Sequence, residues 1–259
     1  MRRALIYAIL SFTSSSILAG IRTPLTSWEL GGFIGSSYYI GELNQAHFMP
    51  LHPSFGPRFR FNYDDRLSLK FGATYGEFGG NDALSSNSFN RDRNYNFTSQ
   101  IYEGAIIGEF NFLSFSTVDK KSALSTPFLF LGVAYANHNP TTILNGSSVN
   151  AQDLYIEDVK YAKNIFSIPF GIGFKTSMNR VSFEFSWGIR KTYTDYLDDV
   201  STNYGPNTRS SNLNNSNNYT QYDDLNNVKR GDQYTKDWYV FSGLSILWSL
   251  TKEELCRKF

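Results

Sequence analysis

The 259-residue chain is 18% charged and 17% aromatic, with a formal net charge of +1. That is little charge for a water-facing surface, and the near-neutral balance leaves no electrostatic footprint for a nucleic-acid partner. A single cysteine, Cys256, excludes an internal disulfide.

In chain order, Arg2 and Arg3 precede an apolar run from Ala4 to Leu10 and a serine-rich stretch ending in Ala19 and Gly20. This pattern predicts an export signal over 1–20 and a mature chain over 21–259 that folds as one domain. The apolar run is short for an uncleaved anchor. No later segment approaches the ~18 consecutive apolar residues of a membrane helix. Any crossing of a membrane must therefore use strands.

Alternation with period 2 then recurs along the chain. Over 54–63, Phe55, Phe59, Phe61 and Tyr63 alternate with Ser54, Gly56, Arg58, Arg60 and Asn62. Over 67–76, Leu67, Leu69, Phe71, Ala73 and Tyr75 alternate with Ser68, Lys70, Gly72, Thr74 and Gly76. Over 166–176, Phe166, Ile168, Phe170, Ile172 and Phe174 share one face. Over 181–189, Val181, Phe183, Phe185, Trp187 and Ile189 oppose Ser182, Glu184, Ser186 and Gly188. Each reads as a strand with one apolar and one polar face. Four less regular strands are expected over 28–40, 94–113, 127–137 and 238–250. No amphipathic helix of consequence separates them.

Alternation alone does not say which face is inside. Three features point to lipid outside. The strands match a tilted bilayer span, and Trp28, Tyr63, Tyr75, Trp238 and Trp248 near their ends suit an interfacial girdle. The connections also alternate in length. Turns at 62–66, 114–126 and 176–180 are short or modest, whereas polar loops at 41–52, 78–93, 138–164 and 193–237 are long. The expected fold is all-β: one antiparallel up-and-down transmembrane β-barrel of about eight strands in a bacterial outer membrane. An exported chain with an even strand number keeps both ends in the periplasm and its long loops outward.

An eight-stranded lumen is filled by side chains. Arg58, Arg60, Lys70, Glu103, Glu109, Lys175, Glu184 and Arg190 are expected to project into it and pair, as a structural network rather than a conduction path. The Asn-rich stretch 201–227 is expected to be a mobile, solvated loop.

Several segments resemble the PorG family of outer-membrane β-barrels of the type IX secretion system of Bacteroidetes. They are Glu29-Leu-Gly-Gly-Phe33, Tyr39-Ile-Gly-Glu-Leu-Asn44, the run from Lys191 to Ser201 containing Tyr193-Thr-Asp-Tyr-Leu-Asp-Asp199, Arg230-Gly231, Asp237-Trp-Tyr-Val-Phe241 and the tail Cys256-Arg-Lys-Phe259. Arg257 stands where the family pattern has a proline. The resemblance implies a part in protein export, often linked to gliding motility. It also implies tethering of a periplasmic ring, a lipoprotein (PorK) with its partner (PorN), to the outer membrane. The short turns and the tail would then face the ring. Gly41, Glu42, Leu43, Asn44, Tyr193, Asp195, Tyr196, Asp198 and Asp199 are the candidate partner or rim residues. They lie at the outward end, so either they stabilise the rim, or that face also meets a partner, or the sidedness is reversed.

Candidate chemistry is sparse. The carboxylates of Asp195, Asp198 and Asp199 lack the spacing of an EF-hand loop, and loop ordering by Asp and Tyr side chains explains the run without a metal. His47, His52 and His138 all fall in predicted loops, and no serine or carboxylate spacing marks one as catalytic. The expectation is a structural protein with no cofactor, no metal and no catalytic residue. The alternatives are a generic adhesive or porin-like surface barrel and a lipid-modifying outer-membrane enzyme.

Overall fold

The computed structural model describes residues 26–118, 122–144, 146–206, 208 and 227–251. The expected export signal, most of the Asn-rich loop and Cys256 lie outside them. Among the described residues nine strands run in order: β1 (Ser27–Ile40), β2 (His52–Asn62), β3 (Leu67–Asn81), β4 (Asn96–Asn111), β5 (Ser125–Leu144), β6 (Ser147–Asn150), β7 (Asn164–Met178), β8 (Val181–Thr192) and β9 (Trp238–Ser249). β6 is a short hairpin partner on the far end of β5. The other eight pair antiparallel into a closed barrel, β4 against β5 and the first strand β1 against the last, β9. Closure leaves the sheet no open edge of unpaired N–H and C=O groups, which hydrocarbon would not tolerate. Among the described residues no helix is long and apolar enough to cross a membrane; the strands cross instead.

The polarity of the wall decides its surroundings. Ile34, Phe55, Phe166, Ile172, Phe185 and Trp248 are exposed on the outer face, while Ser54, Arg60, Lys70, Glu109, Lys175 and Glu184 are buried on the inner one. A soluble barrel has the opposite arrangement. An apolar exterior around a polar, closed lumen is the build of an outer-membrane β-barrel.

Inside, the lumen is layered. Near the short turns, Glu29, Glu109 and Glu184 face Arg60, Lys70 and Lys175. Lys70 lies 2.5 Å from Glu109 and 2.6 Å from Glu184, Lys175 lies 2.6 Å from Glu109, and Arg60 lies 3.0 Å from Glu184. Above them Arg190 reaches Glu103 at 3.2 Å, and Arg58 donates to Thr74 Oγ1 at 3.0 Å and to the Ala73 carbonyl at 2.9 Å. Toward the long loops the filling turns apolar, with Phe33, Phe78, Phe97, Ile101, Tyr239 and Phe241 in one buried cluster.

This corrects the simple division into aromatic outside and ionic inside. Phe128 and Phe130 also point inward, above glycines. A Cβ on Gly188 would stand 2.5 Å from Phe130 Cζ, and one on Gly173 would stand 2.4 Å from Phe128 Cζ. The glycines are the floor on which the rings rest.

Other boundaries move as well. β3 continues to Asn81 and β5 to Leu144, so the second and third long loops begin later than the alternation implied. The second loop carries a 3₁₀ turn (Asp82–Leu84) and one short helix, α1 (Ser88–Arg93). His52 opens β2 and His138 lies within β5, so neither is a loop histidine.

Candidate functional site

The long loops do not leave the barrel open. They fold over its mouth into a cap whose centre is polar and buried. Tyr39, at the top of β1, donates to Asp198 Oδ2 at 2.5 Å and also lies 2.8 Å from Asp237 Oδ1. One hydroxyl hydrogen cannot serve two ionised carboxylates, so one acid must bring its own proton to the phenolic oxygen. The acids are otherwise held by backbone: Leu197 N–H donates to Asp237 at 3.0 Å and Val200 N–H to Asp198 at 2.9 Å.

Glu42 completes this group, with ligand oxygens of Glu42, Asp198 and Asp237 all within 4.8 Å of one another. Burial is the first cause of their protonation. It raises Asp198 to about 7 and, with the Asp198 charge beside it, Glu42 to about 9. Burial and the charges of Asp198 and Glu42 push Asp237 well above the carboxylate range. Three such oxygens could ligate a divalent cation. A shared-proton cluster accounts for the same geometry without one.

A second knot lies beside the first. The buried Arg230 guanidinium donates to Glu157 at 2.8 Å and to the Asp199 carbonyl, and Tyr161 O–H donates to the Asp199 carboxylate at 2.7 Å. Glu157 in turn accepts from the N–H groups of Ser201 and Thr202, both at 2.9 Å. Arg93, closing α1, is paired to Asp82 at 2.6 Å and donates to the Arg230 carbonyl at 2.6 Å. All four long loops are thereby tied into one lid.

The structure places the candidate rim residues unequally. Asp195, Asp198 and Asp199 are buried in the lid, and Asp195 accepts from Ser201 Oγ at 2.7 Å. Tyr196 stacks on Tyr161 at 4.7 Å, whereas the Tyr193 ring is exposed. Leu43 enters the apolar cluster. Asn44 folds its own loop by donating to the carbonyls of Tyr39 and Met49 at 2.7 and 2.6 Å. Gly41 is packed against Tyr39 and Asp237, where a Cβ would sit 1.9 Å from the Tyr39 hydroxyl. Sequence reasoning had no local signal for Glu157 or Tyr161. Arg230 and Asp237 stood only in quoted motifs without a role.

The histidines sit in three separate settings. His47 hydrogen-bonds Tyr38 at 3.3 Å, His52 pairs with Glu77 at 3.1 Å, and His138 is buried in parallel stack with Tyr161.

A family model described as "Domain of unknown function (DUF6089)" matches residues 2–257. The chain belongs to the DUF6089 family. Comparison with curated protein sequences finds no match. Among solved structures this DUF6089 barrel is similar to Neisserial surface protein A, at 10% identity over 86% of this chain and 97% of that one, with a TM-score of 0.40. It is similar also to the attachment invasion locus protein Ail of Yersinia pestis, at 8% identity over 87% and 97% with a TM-score of 0.40. OprG of Pseudomonas aeruginosa gives 9% identity over 86% and 95% with a TM-score of 0.40.

Proposed function

We propose that this DUF6089 barrel is a structural anchor of the type IX protein secretion machinery, tethering a periplasmic ring of a PorK-like lipoprotein and its PorN-like partner to the outer membrane, and that it is not an enzyme. The observation that carries this reading is where the PorG-like segments go. Tyr39 and Glu42 from Tyr39–Asn44, Asp198 and Asp199 from Lys191–Ser201, Arg230 from Arg230-Gly231 and Asp237 from Asp237–Phe241 meet in the lid described above, although Tyr39 and Asp198 lie 159 positions apart. Motifs that assemble one lid over a filled lumen suit a rigid post better than a pore.

The opposite end supports the reading too. Phe115 N–H donates to the Asp65 carbonyl at 2.9 Å, Arg66 donates to the Phe112 carbonyl at 2.7 Å, and Arg180 donates to the Ser249 carbonyl at 2.8 Å. These bonds brace the short turns into a platform on which a ring could seat. A tagged chain, extracted gently from outer membranes, is expected to carry the ring lipoprotein with it. Deleting the gene should abolish export. A barrel that purifies alone while export continues refutes the anchor and leaves the fold untouched.

The length of the outer loops favours a second reading, a surface barrel that binds external ligands. Removing 209–226 distinguishes them, because an anchor tolerates that loss and an adhesin does not.

A further inference from the structure

The first loop does more than join two strands. Tyr38 and Val240 are at outward-facing positions of β1 and β9, paired to each other, yet both are fully buried. Over Tyr38 lies the first loop, which doubles back against the outer wall. Phe48 lies 5.5 Å from the Tyr38 ring, and His47 lies 6.2 Å from Trp187 on β8. Phe48, Met49 and Leu51 of this flap stay 53%, 66% and 54% exposed.

Between the flap, the second loop and the fourth loop lies a cleft of about 620 Å³. Its floor includes Ile40, Ile189 and Trp238, all at outward positions of the wall, and the Trp238 ring meets that of Phe170, an outward residue of β7, at 6.3 Å. Its upper part includes Lys229 and Lys236, and Lys191 stands 6.0 Å over the Trp238 ring. None of the ion pairs among the described residues takes up these three lysines, although Lys236 donates to the Gln233 carbonyl at 3.1 Å. Arg93 and Arg230, which also reach the cleft, are committed to Asp82 and to Glu157 with Asp199. Of its acids, Glu42 accepts from the Asp232 N–H at 3.0 Å and is raised to about 9 by its own burial and then by the Asp198 charge, and Asp232 accepts from the Tyr234 N–H at 3.3 Å.

We infer that this cleft seats one net-anionic, phosphate-bearing lipid of the leaflet on the long-loop side. Its acyl chain lies on Ile189 and Trp238, and its headgroup phosphate lies among Lys191, Lys229 and Lys236. An apolar floor open to hydrocarbon and a cationic rim at headgroup depth are complementary to such an amphiphile. A zwitterionic lipid would match the floor but not the rim.

The full chain, reconstituted in phosphatidylcholine nanodiscs doped with diphosphoryl lipid A, can be released and weighed by native mass spectrometry. One lipid A per barrel is expected to remain bound. Lys229→Gln with Lys236→Gln should weaken retention about thirty-fold, the effect of two near-surface lysines on an anionic headgroup. Trp238→Ala should weaken it too, and Ile34→Ala, elsewhere on the wall, should not. Heat-dependent gel mobility reports that each variant is folded. Retention unchanged in the folded lysine variant, or equal retention of phosphatidylcholine, overturns the inference. So does displacement by millimolar inorganic phosphate, which would mark a simple anion site.

Discussion

Lys70 and Glu184, 114 positions apart in sequence, meet in the lumen at 2.6 Å. They belong to a set of three acids (Glu29, Glu109, Glu184) and three bases (Arg60, Lys70, Lys175), so the set carries no net charge. Each partner is buried, and removing one leaves its counterpart uncompensated. Lys70→Met is therefore expected to destabilise the barrel by roughly 3–5 kcal/mol. Lys70→Met with Glu184→Gln leaves Glu29 and Glu109 against Arg60 and Lys175, and should recover most of that loss. Denaturant midpoints of the three proteins in vesicles test the charge balance.

The lid should loosen as pH rises. Asp198 at about 7 and Glu42 at about 9 lie above the ordinary carboxylate value of about 4. Above about 4 the folded lid binds more protons than the opened one, so its stability falls as pH climbs through about 9, and Asp237, raised well above the carboxylate range, adds to the fall. Protection factors for the Leu197 and Val200 amides, corrected for intrinsic exchange, should drop across that window. Asp198→Asn should flatten the profile, and protection that instead increases with pH would contradict the shared-proton cluster.

The glycine floor makes a steric prediction. In Gly188→Ala the new methyl meets Phe130 Cζ at 2.5 Å, and overpacking of this kind costs about 1–3 kcal/mol. Phe130→Leu placed in the same background should restore much of it. Recovery reports the ring as the obstacle; no recovery reports the Arg190 guanidinium, whose Nη1 would lie 2.8 Å from the new methyl.

The outer wall makes an electrostatic one. Ile34, 68% exposed, faces outward in mid-strand and pairs with Leu244. Ile34→Arg should cost about 2–4 kcal/mol when the barrel is folded into bilayers. On a water-facing barrel the same change would be close to neutral, so the sign of the result tests the surroundings directly.

Much of the wall was legible because one face of each regular strand is apolar and the other polar, as from Val181 to Ile189. Where both faces share a character, alternation is silent. Phe128-Leu129-Phe130-Leu131 is apolar throughout, and only the glycines on β7 and β8 hint which residues turn inward. The upper part of β5 failed for the opposite reason: His138, Asn139 and Thr141 read as loop, but they pair with β4 above the apolar band, where both sides of a strand are wet or covered by protein. The lid was harder still. The acidic run could be seen, but its partners Glu157 and Tyr161 come from the third loop and Arg230 from the far side of the fourth, and no local pattern announces a contact made across the mouth of a barrel.

The pairing of β1 with β9 sets a condition on assembly. The chain offers its first strand early and must keep that strand's hydrogen-bonding edge waiting until the last has been delivered. A fragment lacking β9 would present two raw edges to the bilayer rather than a smaller version of the same vessel. The seam therefore acts as a completeness check, admitting to the membrane only chains that have been exported through their final strand.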